Sequence, residues 1–419
     1  MAREPEWTRP HTTPASATDR RGRAPDVAVV GGGIVGLATA AHLAEAGASV
    51  VLYEGEALAA GASGRNSGVV QRPFDEALVP LYAETLALYR ALEARGVPGL
   101  MLPAEPAGLL LISRCPDAVA LIAGDLRARF ADLAPEILDG PGLRLLEPAL
   151  AEGIVACRVP IGFPVAPGAP AYAYATLVER LGVRIRLGRP VSVAIEAGRA
   201  VGVRMGVDLE AAGAVVVAAG RWTADVIDPT GRWRPVRPLW GAVVEVLLAG
   251  APRHILEEAE MDEALGTGPV AVAGAVDAMS GDAGDESTRP GLEPTQSPEF
   301  SLVTAAGVSA VGSTFLEDEP DLRDWEVPIL QRAAEFVPAV ADAAIRGVRS
   351  CARPATADGR PLLGRVPGVD GLYMATGHGP WGISTGPASG RLVADLVVGR
   401  PVDIPPEIDA ARAGSPFDA

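Results

Sequence analysis

The sequence predicts an α/β protein, with a mainly parallel sheet flanked by helices and a second domain beside it. Three observations lead there. Residues 26–54, DVAVVGGGIVGLATAAHLAEAGASVVLYE, run from an apolar strand through a glycine turn into a helix and on to a second apolar strand. Val215 to Gly220 (VVVAAG) reads as a buried strand ending in small residues, and GLYMATGHG adds another strand further on. Finally, 419 residues with 48% hydrophobic content suffice for two or three domains with a large core.

The first unit is the most informative. Val27 to Val30 is apolar without alternation, as a strand covered on both faces requires. Gly31, Gly33 and Gly36 follow in the spacing G-x-G-x-x-G, at the mouth of a helical pattern that ends at Gly47. The first glycine permits the tight turn, the second lets a pyrophosphate approach the backbone, and the third lets the helix pack on the strand. The start of that helix, with Ile34 and Val35, offers N–H groups and a positive dipole end to phosphates. Val50 to Tyr53 leads to Glu54, about 20 residues on, where a carboxylate accepts hydrogen bonds from an adenosine ribose. Together with Glu56 it repels a 2′-phosphate, which disfavours NADP. A dinucleotide site is expected here.

Along the chain, residues 1–24 read as a loose polar tail. After the nucleotide unit comes Gly61 to Val70, GASGRNSGVV, whose small residues suit a backbone passing close to a cofactor. An ordinary Gly/Ser loop is the alternative. Residues 76–97 show helical spacing, with Leu78, Tyr82, Tyr89 and Leu92 on one face. A strand near Leu109–Ile112 precedes a helix near Ala118–Leu133. Gly182 to Met205 reads as strand, turn and strand, through VRIRL, PVSVAIE and AVGVRM, and Val243–Leu248 is a strand of a second layer. Residues 277–299 are acidic, rich in Gly, Pro and Ser and aperiodic, so they read as a surface loop, with a substrate lid as the alternative. Helical spacing returns at Pro328–Phe336.

Composition removes several classes of chemistry. The net charge of −16 argues against nucleic acid or an anionic membrane as partner. All 36 basic residues are Arg, so a pyridoxal Schiff base, a P-loop lysine and a lysine nucleophile are excluded. Cys115, Cys157 and Cys351 are scattered, and His11, His42, His254 and His378 form no ligand-spaced cluster, so neither a metal site nor a disulfide framework is expected. The cysteine usage suits a reducing cytoplasm. No apolar run is long enough for a membrane span. Arg20-Arg21 ahead of the apolar stretch mimics a twin-arginine signal, but that stretch is better explained as the nucleotide strand and helix.

A second informative region runs from Cys351 to Gly399: CARPATADGRPLLG, the strand GLYMATGHG, and GPWGISTGPASGRLVADLVVG, a Gly-rich turn entering a helix. With these on the page, the chain resembles the FAD-dependent oxidoreductases of the D-amino-acid oxidase, glycine oxidase and sarcosine oxidase superfamily, D-amino-acid dehydrogenases included. The resemblance covers residues 25–400 and rests on five segments in order: the N-terminal fingerprint, ASGRNSG, VVVAAG, RPATADGRPLLG and GHGPWGISTGPASGRLVADL. It implies a glutathione-reductase-type, Rossmann-like FAD domain from about 25–98, 165–235 and 346–405, a substrate domain with an antiparallel sheet from 99–164 and 236–345, and a tail at 406–419.

Residue by residue, the resemblance assigns Gly31, Gly33, Gly36 and Glu54 to the ADP part of FAD. Ser63, Gly64, Arg65, Asn66 and Ser67 pass the pyrophosphate and flavin, and Val191 pairs with adenine through its backbone. Ala218, Ala219 and Gly220 line the dinucleotide, while Gly379, Trp381, Gly382, Ile383, Ser384 and Thr385 approach the flavin pyrimidine edge. Arg353 resembles the arginine that clamps a substrate carboxylate, a use that suits a planar guanidinium; an internal ion pair is the alternative. Cys351 aligns with the cysteine that bonds covalently to flavin in sarcosine oxidases, but a small buried cysteine, and hence non-covalent FAD, is the expectation. His378 falls beside the flavin. The lysine that activates dioxygen in sarcosine-type oxidases has no counterpart.

The expected function is oxidation of an amine next to a carboxylate, by hydride transfer to flavin N5, giving an imine that hydrolyses to a 2-oxo acid. The partners are then a small amine or amino acid and an electron acceptor, either dioxygen or a quinone or other carrier. Oxidation of a 2-hydroxy acid is the alternative within redox chemistry and needs a base, for which His378 is the candidate. A biosynthetic flavoprotein acting on a larger amine, or a non-catalytic subunit of a heteromeric enzyme, are the remaining classes. Trp240, Phe315 and the 277–299 loop are candidates for side-chain specificity.

Overall fold

A computed structural model describes residues 24–259 and 297–417. The expected loop at 277–299 therefore lies almost wholly outside the described residues, as does the N-terminal tail.

The first strand, Val27–Val30, is buried throughout and sits in the middle of a six-stranded sheet. Its neighbours are Val50–Glu54 on one side and Ala214–Val217 on the other, both parallel to it. Arg184–Leu187 extends the sheet beyond Val50–Glu54, and Leu372–Thr376 extends it beyond Ala214–Val217, again in parallel. Leu362–Arg365 closes that edge antiparallel. The order places the carboxyl ends of the two innermost strands side by side, where doubly wound sheets bind ligands.

Two helices cover one face. Ile34–Glu45 carries almost no large polar group and is buried over most of its length, and Gly382–Val397 crosses it closely. The crossing needs glycines one turn apart: a Cβ on Gly390 would lie 2.8 Å from Thr39 N, and one on Gly386 3.0 Å from Val35 Cγ2. Val79–Ala94 packs beside them through Leu81, Tyr82, Thr85, Tyr89 and Leu92, the face expected from its spacing. A three-stranded antiparallel sheet, Ser192–Glu196, Arg199–Met205 and Asp208–Ala211, covers the opposite side.

The second sheet has eight strands and is almost wholly antiparallel, in the order 344–355, 237–247, 308–312, 301–305, 255–258, 109–113, 155–159 and 136–138. Its one parallel pair is Ile255–Glu258 with Leu109–Ser113. The expected strand at Val243–Leu248 is longer, Arg237–Leu247, because eleven register partners on Ala344–Ala355 hold it. The expected helix at Pro328–Phe336 starts earlier, at Leu322, where the Asp321 side chain accepts from Arg323 N and caps it. Its charged first turn lacks the apolar period that betrays a helix in sequence. The C-terminal segment expected as a tail docks instead: Leu363 N donates to Ile408 O at 2.8 Å, and Trp233 Nε1 to Ala413 O at 2.9 Å. No helix among the described residues is long and apolar enough to cross a membrane.

Candidate active site

A continuous cavity of about 650 Å³ runs from Glu54 and Val191, past the carboxyl ends of the first sheet, to the face of the second sheet at Arg353. Strands of the first sheet deliver its Ala218–Gly220 wall, and the turn into Ile34–Glu45 delivers Gly31, Gly33, Ile34 and Val35. Ser63, Arg65, Asn66, Ser67, Gly379, Trp381, Gly382, Ile383 and Ser384 line it as well, with His378 and Cys351. Gly36, Gly64 and Thr385 do not reach it. Gly36 packs helix on strand, since a Cβ there would lie 2.0 Å from Gly31 O. Gly64 allows close approach to Ala59 O, 2.3 Å from where its Cβ would stand, and Thr385 Oγ1 donates to Trp381 O at 2.9 Å.

The near end of this cavity fits a dinucleotide. Gly31 has φ +114° and its absent Cβ would meet Ala218 O at 2.3 Å, so backbone, not side chain, forms the floor. Glu54 Oε2 accepts from Gly32 N at 2.7 Å and Oε1 from Glu56 N at 2.8 Å, which fixes the carboxylate at the cavity wall. Ser63 Oγ accepts from Ile34 N at 2.9 Å, a hydroxyl seated at the helix N-terminus where a phosphate oxygen is favoured. Asn66 serves the local turn: its Nδ2 donates to Ser63 O at 2.8 Å and its Oδ1 accepts from Gly68 N at 2.9 Å. Arg349 then ties this segment to the second sheet, donating from Nε to Arg65 O at 3.1 Å and from Nη2 to Asn66 O at 2.9 Å.

Arg353 dominates the far end. Its Nη1 donates to Thr314 O at 2.9 Å and its Nη2 to Ser313 Oγ at 2.6 Å. The guanidinium lies over the Phe315 ring, 4.6 Å from Cζ to the centroid. Among the described residues no carboxylate lies within ion-pair distance of it, so the expected alternative of an internal ion pair is not seen there, although the charge of Glu299 is near enough to favour the cation. Burial pulls its pKa below the usual arginine value, yet a guanidinium stays charged. Two of its five N–H groups are used by Ser313 and Thr314, which leaves a fork for an anion. Gly241 makes room: a Cβ there would stand 2.5 Å from both Nη1 and Nη2. Phe315 thus belongs to the cavity as expected, whereas Trp240 is buried outside its lining.

His378 is buried, and its Nε2 lies 2.9 Å from Ser389 Oγ. That hydroxyl donates to Thr385 O at 3.0 Å, so it accepts from the imidazole, and the proton sits on Nε2. Burial lowers the His378 pKa to about 4, so the ring is neutral at pH 7. Cys351 is buried beside Arg353, and burial pushes its thiol pKa up, against a thiolate. The RPATADGRPLLG motif has a structural use too: Arg360 Nε donates to Asp75 Oδ2 at 2.8 Å.

Sequence reasoning missed two groups here. Gly241 looks like any glycine in an apolar strand. Glu257 lies in the cavity wall on Ile255–Glu258, where its carboxylate accepts from Gln71 Nε2 at 3.1 Å. Burial, offset in part by Gln71, raises its pKa to about 7. The run HILEEAEMDE carries no strand signal, and an acid so placed could be found only through the sheet register.

The profile of the DAO family, FAD-dependent oxidoreductases, matches residues 26–396. A D-amino acid dehydrogenase of Cereibacter sphaeroides (strain ATCC 17029) is 28% identical over 333 residues, 77% of this chain and 67% of that one. A glycine oxidase of Pseudomonas aeruginosa is 27% identical over 400 residues, 91% of this chain and 96% of the other. Among solved structures, glycine oxidase from Geobacillus kaustophilus superposes with a TM-score of 0.75 at 25% identity, covering 93% of this chain and 98% of its own. Iminodiacetate oxidase from Chelativorans sp. BNC1 gives 0.72 at 25% identity, covering 91% and 98%. The chain belongs to the DAO family of FAD-dependent oxidoreductases.

Proposed function

We propose that this enzyme oxidises the C–N bond of an amino acid or N-substituted amino acid to an imine, which water converts to a 2-oxo acid. The observation that carries the reading is Arg353, a cation on the cavity wall with N–H groups to spare and no carboxylate partner among the described residues. A bidentate carboxylate there is oriented without being activated, which suits a reaction limited by positioning. FAD, when bound, would supply the redox chemistry as hydride acceptor at N5.

The chain's own residues do the rest. Gly31, Gly33, Ser63 and Glu54 hold the nucleotide end, and Gly379 to Ser384 place N–H groups at the other. Cys351, with its thiol pKa pushed up by burial, suits non-covalent FAD. In this division residues 25–98, 165–235 and 356–405 hold the cofactor and 99–164 with 236–355 hold the substrate; the boundary expected at 346 moves to 355 because Ala344–Ala355 is a strand of the second sheet and carries Arg353. Relatives named D-amino acid dehydrogenase, glycine oxidase and iminodiacetate oxidase support a small carboxylated amine as substrate.

The test is anaerobic. D-amino acids, glycine, N-substituted glycines and 2-hydroxy acids are added in turn to the purified flavoprotein while the flavin absorbance is followed. Bleaching by an amine, lost in Arg353→Ala, is the expected result. Bleaching by hydroxy acids alone would overturn the proposal.

A further inference from the structure

Glu257 is an acid in an unusual place. Its strand is buried, its register partners are Ser301 and, on the parallel side, Leu111, and neither can ionise. The charged neighbour in sequence, Glu258, pairs with Arg332 instead. Among the described residues its one hydrogen-bond partner is Gln71, and the Gln71 amide oxygen is itself buried with no partner. Buried acceptors of this kind are costly unless something donates to them. Glu257 and Gln71 are thus neighbours in the cavity wall, with acceptor capacity that the described residues do not use up.

Across the sheet stands the carboxylate fork. Glu257 is opposite Ser301, and Ser301 is opposite Gly312, next to the Ser313 that holds Arg353. Glu257, Gln71, Ser313 and Arg353 all line the one cavity, so a small amine whose carboxylate is held by Arg353 shares that space with Glu257.

We propose that Glu257 and Gln71 form the amine subsite of this enzyme, and that Glu257 takes the proton of the substrate ammonium while Arg353 holds its carboxylate. This rests on the amine-oxidation reading above. The N–H bond breaks, an O–H bond forms on Glu257, and nitrogen keeps the lone pair, the form of the amine from which a bound flavin would accept a hydride. The proton returns to water when product leaves. Gln71 serves both states of the acid. Its N–H group donates to the carboxylate, and a half-turn of the amide presents its oxygen to the new O–H. The raised pKa of about 7 suits a base that must take a proton and give it back near neutrality.

The experiment compares wild type, Glu257→Gln and Arg353→Ala on an amine that bleaches the wild-type flavin. For Glu257→Gln, the anaerobic reduction rate at low substrate is expected to fall about 100-fold at pH 7. It should then recover about tenfold per pH unit, as solution supplies the neutral amine. An infrared difference spectrum on binding an amino acid should show a protonated-carboxyl C=O band in wild type and none in Glu257→Gln. Binding of acetate, which has no amine, should depend on Arg353 and not on Glu257. A wild-type pH profile in folded, flavin-loaded Glu257→Gln would overturn the proposal while leaving the Arg353 reading intact. So would a loss that no rise in pH restores, which is the behaviour of a base for a hydroxyl substrate. An Arg353→Ala enzyme still reduced by amines at the wild-type rate would overturn the functional reading itself.

Discussion

Gly241 permits a test that separates placement of Arg353 from folding. A Cβ added at Gly241 would lie 2.5 Å from Nη1 and Nη2 of Arg353 and 2.7 Å from its Cζ. Non-bonded heavy atoms settle about 3.5 Å apart, so the guanidinium must retreat by about 1 Å. That retreat disrupts the bonds to Ser313 Oγ at 2.6 Å and Thr314 O at 2.9 Å. Misplacing a positioning group by about 1 Å costs on the order of 100-fold in rate, equivalent to about 2.7 kcal/mol of transition-state stabilisation.

The strand itself is spared. Gly241 lies outside the left-handed region, and what moves is the far end of a flexible side chain. Stability should fall by no more than about 1 kcal/mol. Gly241→Ala is therefore expected to bind FAD, melt near wild type, and reduce its flavin about 100-fold more slowly with an amine substrate. The assay is anaerobic stopped-flow absorbance, with acetate binding as a check on the fork. A flavin-loaded Gly241→Ala with wild-type rate and wild-type acetate affinity would refute the reasoning.

Three further outcomes are expected. In Gly36→Ala the new Cβ meets Gly31 O at 2.0 Å, and neither backbone can retreat, so the protein should purify largely without flavin and melt several degrees lower, read from the flavin-to-protein absorbance ratio and a thermal scan. His378, with its folded pKa lowered to about 4 by burial, gains its proton more readily when unfolded, so stability falls as pH drops from about 6.5 to about 4 and is flat above. That slope amounts to on the order of 3 kcal/mol, and in His378→Gln melts against pH should lose it while keeping a constant offset from the broken Ser389 bond. Because the chain has no Lys, reduced flavin should pass electrons to a soluble quinone at least tenfold faster than to dioxygen, which reoxidation in stopped flow would show; equal rates would count against a dehydrogenase.

What could be read in the sequence was what is local. The span from Val27 to Glu54 places strand, turn, helix, strand and acid in one stretch, and each glycine has a task set by its immediate neighbours. Gly36 against Gly31 O is a contact between residues five apart, so spacing alone predicted it. Arg353 and its cavity neighbours were reachable through a resemblance carried by short motifs. The helix at Leu322–Phe336 was read only from Pro328 on, because its opening turn is charged and solvent decides its pattern. Asn66 was expected at the cofactor and lines the cavity, but its side chain holds the turn that puts Ser63 there.

Glu257 and Gly241 were illegible for a different reason. Their neighbours are chosen by register, not by sequence distance: Gln71 lies 186 residues from Glu257, and Gly241 meets Arg353 because Cys351 is its partner across two strands. In the sequence an acid pair after Ile255-Leu256 reads as surface, and nothing local says that one acid will be paired with Arg332 while the other faces the cavity. The same register explains why the proposed fork and amine subsite can be precise. Glu257 stands on one strand of the second sheet and Arg353 on another, and the Arg353 side chain is held in place by Ser313 and Thr314 just past Val308–Gly312. A substrate must therefore satisfy groups fixed by a sheet and by the turn that leaves it.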